Sequence, residues 1–177
     1  MLKRVIASAA GVVLIASCAT EPNVTRTGPF IAGDSNLYLN DSPNPDDPNG
    51  VVRAVPMPSA PLDETKTLTR IVFASCAQQR EDQAIWDQIA SENPDLTLYM
   101  GDNVYGDVRS NDPALPELKA AYMRLAQSEP FARARAAAPM LTVWDDHDYG
   151  LNDGGGDYQY KEKAQALFYY GWALAED

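Results

Sequence analysis

The segment Trp144-Asp145-Asp146-His147-Asp148-Tyr149-Gly150-Leu151-Asn152-Asp153 gathers carboxylates, an amide and the chain's only histidine into one short run. Carboxylates repel one another and lose hydration when a fold brings them together, so such a cluster persists where a cation compensates it. Asp and Asn offer hard oxygen donors and His a borderline nitrogen, the donor set of a divalent- or trivalent-metal loop. A solvated, Asp/Gly-rich turn is the plainer alternative. A second run of the same kind, Gly101-Asp102-Asn103-Val104-Tyr105-Gly106-Asp107, argues for the metal loop. Gly101 lets the backbone turn sharply before Asp102, and a single carboxylate there could bridge two cations. Tyr105 could add a phenolate to a hard trivalent ion, and Cys76 a thiolate. Otherwise Tyr105 is a core or rim aromatic and Cys76 a small buried apolar residue.

These runs need elements to position them. Arg70–Ala74 is a β-branched, apolar run suited to a buried parallel strand. Glu81–Ser91 has helical spacing and is stopped by Asn93-Pro94. Asp95–Met100 forms a second strand, Leu115–Gln127 and Pro130–Ala137 helices, Pro139–Trp144 a third strand and Tyr160–Ala175 a last helix. Alternation of this kind predicts an α/β fold with a mostly parallel sheet covered by helices. Each polar run then follows a strand: Ser75-Cys76 the first, Gly101-Asp102 the second, Asp145-Asp146-His147 the third. Parallel strands bring all three to one edge, where open α/β sheets bind ligands.

The N-terminus reads as a leader. Lys3 and Arg4 precede an apolar run, Val5–Ala16, and Ile15-Ala16-Ser17-Cys18 closes it, the layout of a secretory signal over residues 1–17. That ending resembles the bacterial lipobox. The resemblance implies lipidation of Cys18 and, with Ala19 next, anchoring at the periplasmic face of the outer membrane. An ordinary signal peptide, with secretion to the periplasm, is the alternative. Cys76 is the other cysteine and has no partner for an internal disulfide. Residues 18–67 read as tether and Pro/Asn/Asp-rich segment. Asn40–Gly50 is expected to be a plain turn-rich linker, with short edge strands at most at Phe30-Ile31-Ala32 and Val51-Val52-Arg53. The formal charge is −11, and loss of Lys3 and Arg4 with the leader takes it to −13. A surface this acidic argues against nucleic-acid partners. It also disfavours a phosphate substrate unless metals reverse the sign locally.

Phe73-Ala74-Ser75-Cys76, Gly101–Asp107 and Trp144–Asp153, in that order and strand context, resemble the successive motifs of alkaline phosphatase D-type (PhoD-like) metallophosphoesterases. The resemblance covers about Leu68 to Asp177; Trp86 and the helix ending in Phe168-Tyr169-Tyr170 fit the same pattern. It implies a four-layer α/β/β/α metallophosphatase-like sandwich, of which residues 68–177 would be the first half. It also implies a bimetal hydrolase of small phosphate monoesters or diesters. One ion, Fe³⁺, would take Cys76, Asp102 and Tyr105. The second, Ca²⁺ or another divalent ion, would share Asp102 and use Asp146 and Asn152, with Asp145 and Asp148 as further choices. His147 would contact phosphate or act as general acid to the leaving alkoxide.

One departure bears on activity. Members of this family complete the site with further Asp and His ligands from a second half, so the chain as given is expected to hold an incomplete site with little turnover. A reading from another class is a non-catalytic surface lipoprotein whose acidic loops bind calcium or a partner. A serine hydrolase is disfavoured, because no Gly-x-Ser-x-Gly elbow occurs.

Overall fold

The computed structural model describes residues 40–174. The expected leader, Cys18, the edge strand at Phe30–Ala32 and the end of the last expected helix lie outside them.

The chain runs β1 (Ser42–Asn44), β2 (Asp47–Val52), β3 (Ile71–Ala74), α1 (Ile85–Ser91), β4 (Leu96–Met100), α2 (Pro116–Ala126), α3 (Glu129–Ala137), β5 (Met140–Val143), α4 (Asp146–Tyr149) and α5 (Lys161–Gly171). Strands β3, β4 and β5 pair in parallel in sequence order, so the architecture is α/β, as the alternating pattern predicts. The expected helix over Glu81–Ser91 begins only at Ile85. Asp82 accepts the Ala84 N–H at 2.9 Å, a local side-chain bond that competes with helix in the preceding turn. Helix α3 starts where Ser128 accepts the Phe131 N–H and Pro130 occupies its first turn. Helix α5 stops at Gly171, and Ala173 two residues on adopts a left-handed φ of 50°.

The core lies on one face of the sheet. Trp86 of α1, Tyr99 of β4, Phe131 of α3 and Trp172 beyond α5 are all nearly or fully buried. Their rings pack largely edge to face, with centroids 4.8 Å apart for Trp86–Phe131 and 5.8 Å for Tyr99–Trp172. Alternation of side chains along each strand sends Phe73, Met100, Leu141 and Val143 to the opposite face, where they are exposed. Phe73, Leu98 and Leu141 stand in one row across that face, and Met100 pairs with Val143 in the next. Helices cover only one side of the sheet among the described residues.

In place of the linker expected at Asn40–Gly50 there is an antiparallel hairpin, with Ser42 opposite Val52 and Pro43 opposite Val51. Long-range contacts override its turn-rich composition. Lys119, buried on α2, donates to the Asn40 carbonyl at 2.8 Å and to Ser42 Oγ at 2.9 Å. Arg80 and Arg124 each reach Asp46 at 3.2 Å. Beyond the hairpin Met57 enters the core and donates its N–H to the Gly171 carbonyl at 2.7 Å.

Burial lowers the Lys119 pKa to about 8, the charges of Asp112 and Asp41 opposing the shift. Its unfolded value is about 10.4. Between these values the unfolded chain holds more protons, so stability contributed by Lys119 rises with pH over that window. Urea unfolding between pH 8 and 10 should show this rise, and a Lys119→Met variant should show none of it.

Candidate metal centre

The three strands deliver their following loops to one edge, and backbone bonds tie the loops together. Cys76 N–H reaches the Gly101 carbonyl at 3.3 Å, Gly106 N–H the His147 carbonyl at 3.3 Å and Val108 N–H the Gly150 carbonyl at 2.9 Å. Close packing fixes two glycines. At Gly101, φ is 87° and a Cβ would lie 2.8 Å from Asp145 Cβ. At Gly106 a Cβ would meet Leu118 Cδ1 at 2.5 Å, which presses this loop onto α2. Cys76 and Asp102 also have positive φ, 55° and 48°. Non-glycine residues enter this region at an energetic cost, and such residues concentrate where function demands a particular side-chain direction.

Asp102 is the meeting point. Its Oδ2 accepts from Tyr105 Oη at 3.2 Å and lies 3.6 Å from Cys76 Sγ. Its Oδ1 is buried and has no hydrogen-bond partner. Asp102, Asp146 and His147 each present a donor atom within 4.8 Å of the others. An unsatisfied, buried carboxylate oxygen amid carboxylate, imidazole, thiol and phenol donors fits a cation, since leaving it bare is costly. Burial, followed by the charges of Asp102 and Cys76, raises the Tyr105 pKa well above its usual value. The phenol therefore keeps its proton and donates it to Asp102; a cation at this point would reverse that balance.

The long acidic run does not lie open as a loop. Asp146–Tyr149 forms a single helical turn, α4, with Asp145 and Asp148 in a reciprocal capping box and Gly150 closing it at φ 94°. Asp145 is exposed, and its carboxylate accepts the Asp146 N–H at 3.0 Å. Asp146 accepts N–H groups from Asp153 at 2.6 Å and His147 at 2.8 Å. Those bonds, the Asp153 one foremost, hold its carboxyl below the usual range and keep it anionic beside Asp102. Asn152 is exposed, and its amide nitrogen donates to Asp153 at 2.7 Å. The residues expected for the first ion, Cys76, Asp102 and Tyr105, thus meet around one oxygen. Of those expected for the second, Asp146 stands beside Asp102, Asp145 acts as a cap, and Asn152 contacts its neighbour.

Two participants, Asp107 and Gln79, have no role expected from the sequence, and a third, Asp148, has a different one from that expected. Asp107 accepts from His147 Nδ1 at 2.9 Å and orients a ring whose centroid stands 4.4 Å from that of Tyr105. Gln79, nearly buried, brackets Tyr105 by accepting its N–H at 2.9 Å and donating to its carbonyl at 3.1 Å. Asp148, offered only as a further ligand choice, is fully buried and turned inward instead. It accepts the N–H of Asn103 and of Asp145, each at 2.5 Å. Burial pushes its pKa up to about 7 against those bonds.

Fold and site together define an α/β protein with a cation-type donor cluster at the carboxyl ends of parallel strands. The sequence model described as PhoD-like phosphatase matches residues 71–167, more than half of the chain, and the chain belongs to that family. A solved structure titled "Structure of PhoD" is 19% identical with a TM-score of 0.42; the match covers 68% of this chain and 26% of that one. The chain therefore spans about a quarter of that relative's length. No curated protein matches it.

An Asp148→Asn exchange replaces one acceptor oxygen with a donor that faces a backbone N–H. Urea unfolding should register a loss of about 1–3 kcal/mol, the usual cost of a buried group left unsatisfied. An unchanged midpoint would mean that Asp148 does not hold the two loops.

Proposed function

We propose that this chain carries the metal-holding part of a phosphate-ester hydrolase that uses a bimetal site of Fe³⁺ and Ca²⁺, acting on monoesters or diesters. The observation that carries this reading is the Asp102 carboxylate. One oxygen is approached by a thiol and a phenol, the other is buried without a partner, and the carboxylate clusters with Asp146 and His147. A carboxylate with one oxygen among thiol and phenol donors and the other buried and unpartnered is what two cations could share. Cys76, Asp102 and Tyr105 would hold the ferric ion, which suits thiolate and phenolate. Asp102 and Asp146, with Asn152 or Asp145, would hold the calcium through oxygen. When bound, such ions supply charge neutralisation and Lewis acidity at phosphorus.

The chain's own residues do the remaining work. Asp107 accepts the hydrogen bond of His147 Nδ1–H and so fixes the tautomer, which leaves Nε2 as the nitrogen available to substrate. From there His147 contacts a phosphoryl oxygen or, protonated at Nε2, gives its proton to the departing alkoxide. Gln79 holds the Tyr105 backbone and keeps the phenol at Asp102. The acidic chain repels phosphate until cations reverse the local sign.

That sign change supplies the test. Titration of the purified protein with inorganic phosphate, before and after equilibration with Fe³⁺ and Ca²⁺, should give binding only in the metal-loaded form. Asp102→Asn should abolish it. Metal uptake with no phosphate binding would contradict the hydrolase and favour the calcium-binding lipoprotein.

A further inference from the structure

Beside the Asp102 cluster lies a cavity of about 360 Å³ lined by Trp144, Asp145, Asp146, Tyr149 and Gly154–Gly156. It shares Asp146 with the donor cluster, so whatever occupies it lies next to the position proposed for phosphate. The volume falls at the lower end of small-ligand sites. Trp144 and Tyr149 meet nearly at right angles, 79° between planes with centroids 5.3 Å apart, and form an aromatic corner. Phe168 backs Trp144 at 5.4 Å, and Tyr158 backs Tyr149 at the same distance, so both rings are held from behind.

The glycine loop is equally built. Gly154 donates its N–H to the Leu151 carbonyl at 2.7 Å, and a Cβ there would collide with that oxygen at 2.6 Å. Tyr149 Oη reaches the Gly155 carbonyl at 3.4 Å, and Lys161 Nζ the Gly156 carbonyl at 2.5 Å. A Cβ on Gly156 would have no heavy atom within 4 Å. Gly154, Gly155 and Gly156 therefore line the cavity with bare backbone, with open space beside Gly156.

Resting on the phosphoesterase reading above, we propose that this cavity receives the organic group of the ester and selects flat, ring-bearing alcohols of about one ring system. Two supported aromatic rings and a side-chain-free wall suit stacking and edge contact with a planar group. The carboxylates of Asp145 and Asp146 in the lining disfavour a second anionic substituent on the organic group.

Three probes on the metal-loaded full chain test this: phenyl phosphate, inorganic phosphate and phenol, with binding followed by NMR of the Trp144 and Tyr149 ring signals and by calorimetry. Phenyl phosphate should bind about tenfold more tightly than inorganic phosphate, the range expected of one aromatic contact set. Gly156→Leu, which fills the open space without altering strained backbone, should bring that ratio close to one and remove the phenol-induced shifts. Equal binding of the two phosphates, or an advantage that survives Gly156→Leu, overturns the proposal. Phenol shifts without any phosphate binding would refute the phosphoesterase reading, and with it the assignment of this cavity to an ester. Absence of phenol shifts alongside normal phosphate binding would refute the cavity's role alone.

Discussion

A buried carboxylate governs this site without pointing into it. Asp148 turns inward from α4 and takes the backbone N–H groups of Asn103 and Asp145, one from each acidic loop. Those N–H groups come from the residues flanking Asp102 and Asp146. Holding them fixes the separation of two carboxylates that would otherwise repel one another. Asn103 adds a second tie by donating from its amide to the Val143 carbonyl at 2.8 Å, at the end of β5. The spacing of Asp102 and Asp146 therefore depends on a carboxylate that is turned away from both.

The three strands provide the platform for that clamp. Because β3, β4 and β5 are parallel and adjacent, Cys76, Asp102 and the α4 turn leave the sheet at the same edge. Gly101 lets the second loop pass against Asp145, and Gly106 lets it pass against Leu118 of α2. The aromatic core behind Tyr99 keeps β4 in place, and Tyr99 Oη itself donates to the Asn103 carbonyl at 3.0 Å. Packing and site are thus joined through one strand and one loop. The strained backbones of Cys76 and Asp102 persist because these contacts over-determine them.

Much of this was legible in the residue order. The apolar runs at Ile71–Ala74, Leu96–Met100 and Met140–Val143, each followed by ligand-type residues, were enough to place the candidate donors on one edge. The hairpin was hidden because its strands contain Pro43 and Pro48; its pairing depends on Lys119, Arg80 and Arg124, far away in sequence. In the acidic run, composition alone cannot tell Asp145, Asp146 and Asp148 apart. The spacing Asp145-x-x-Asp148 is the pattern of a capping box, the one local signal that would have marked Asp148 as structural. No local signal pairs His147 with Asp107, forty positions earlier, because only the assembled edge brings them together.

The central claim is that loops from three strands build a cation site around Asp102. Element-resolved metal content tests it most directly, measured on the full chain and on Asp102→Asn after identical purification, with circular dichroism confirming that both are folded. The account predicts near-stoichiometric metal in the parent, iron with calcium, and its loss from the variant. Metal retained at the parent level by a folded Asp102→Asn protein, or no metal in a folded parent offered both ions, would contradict it.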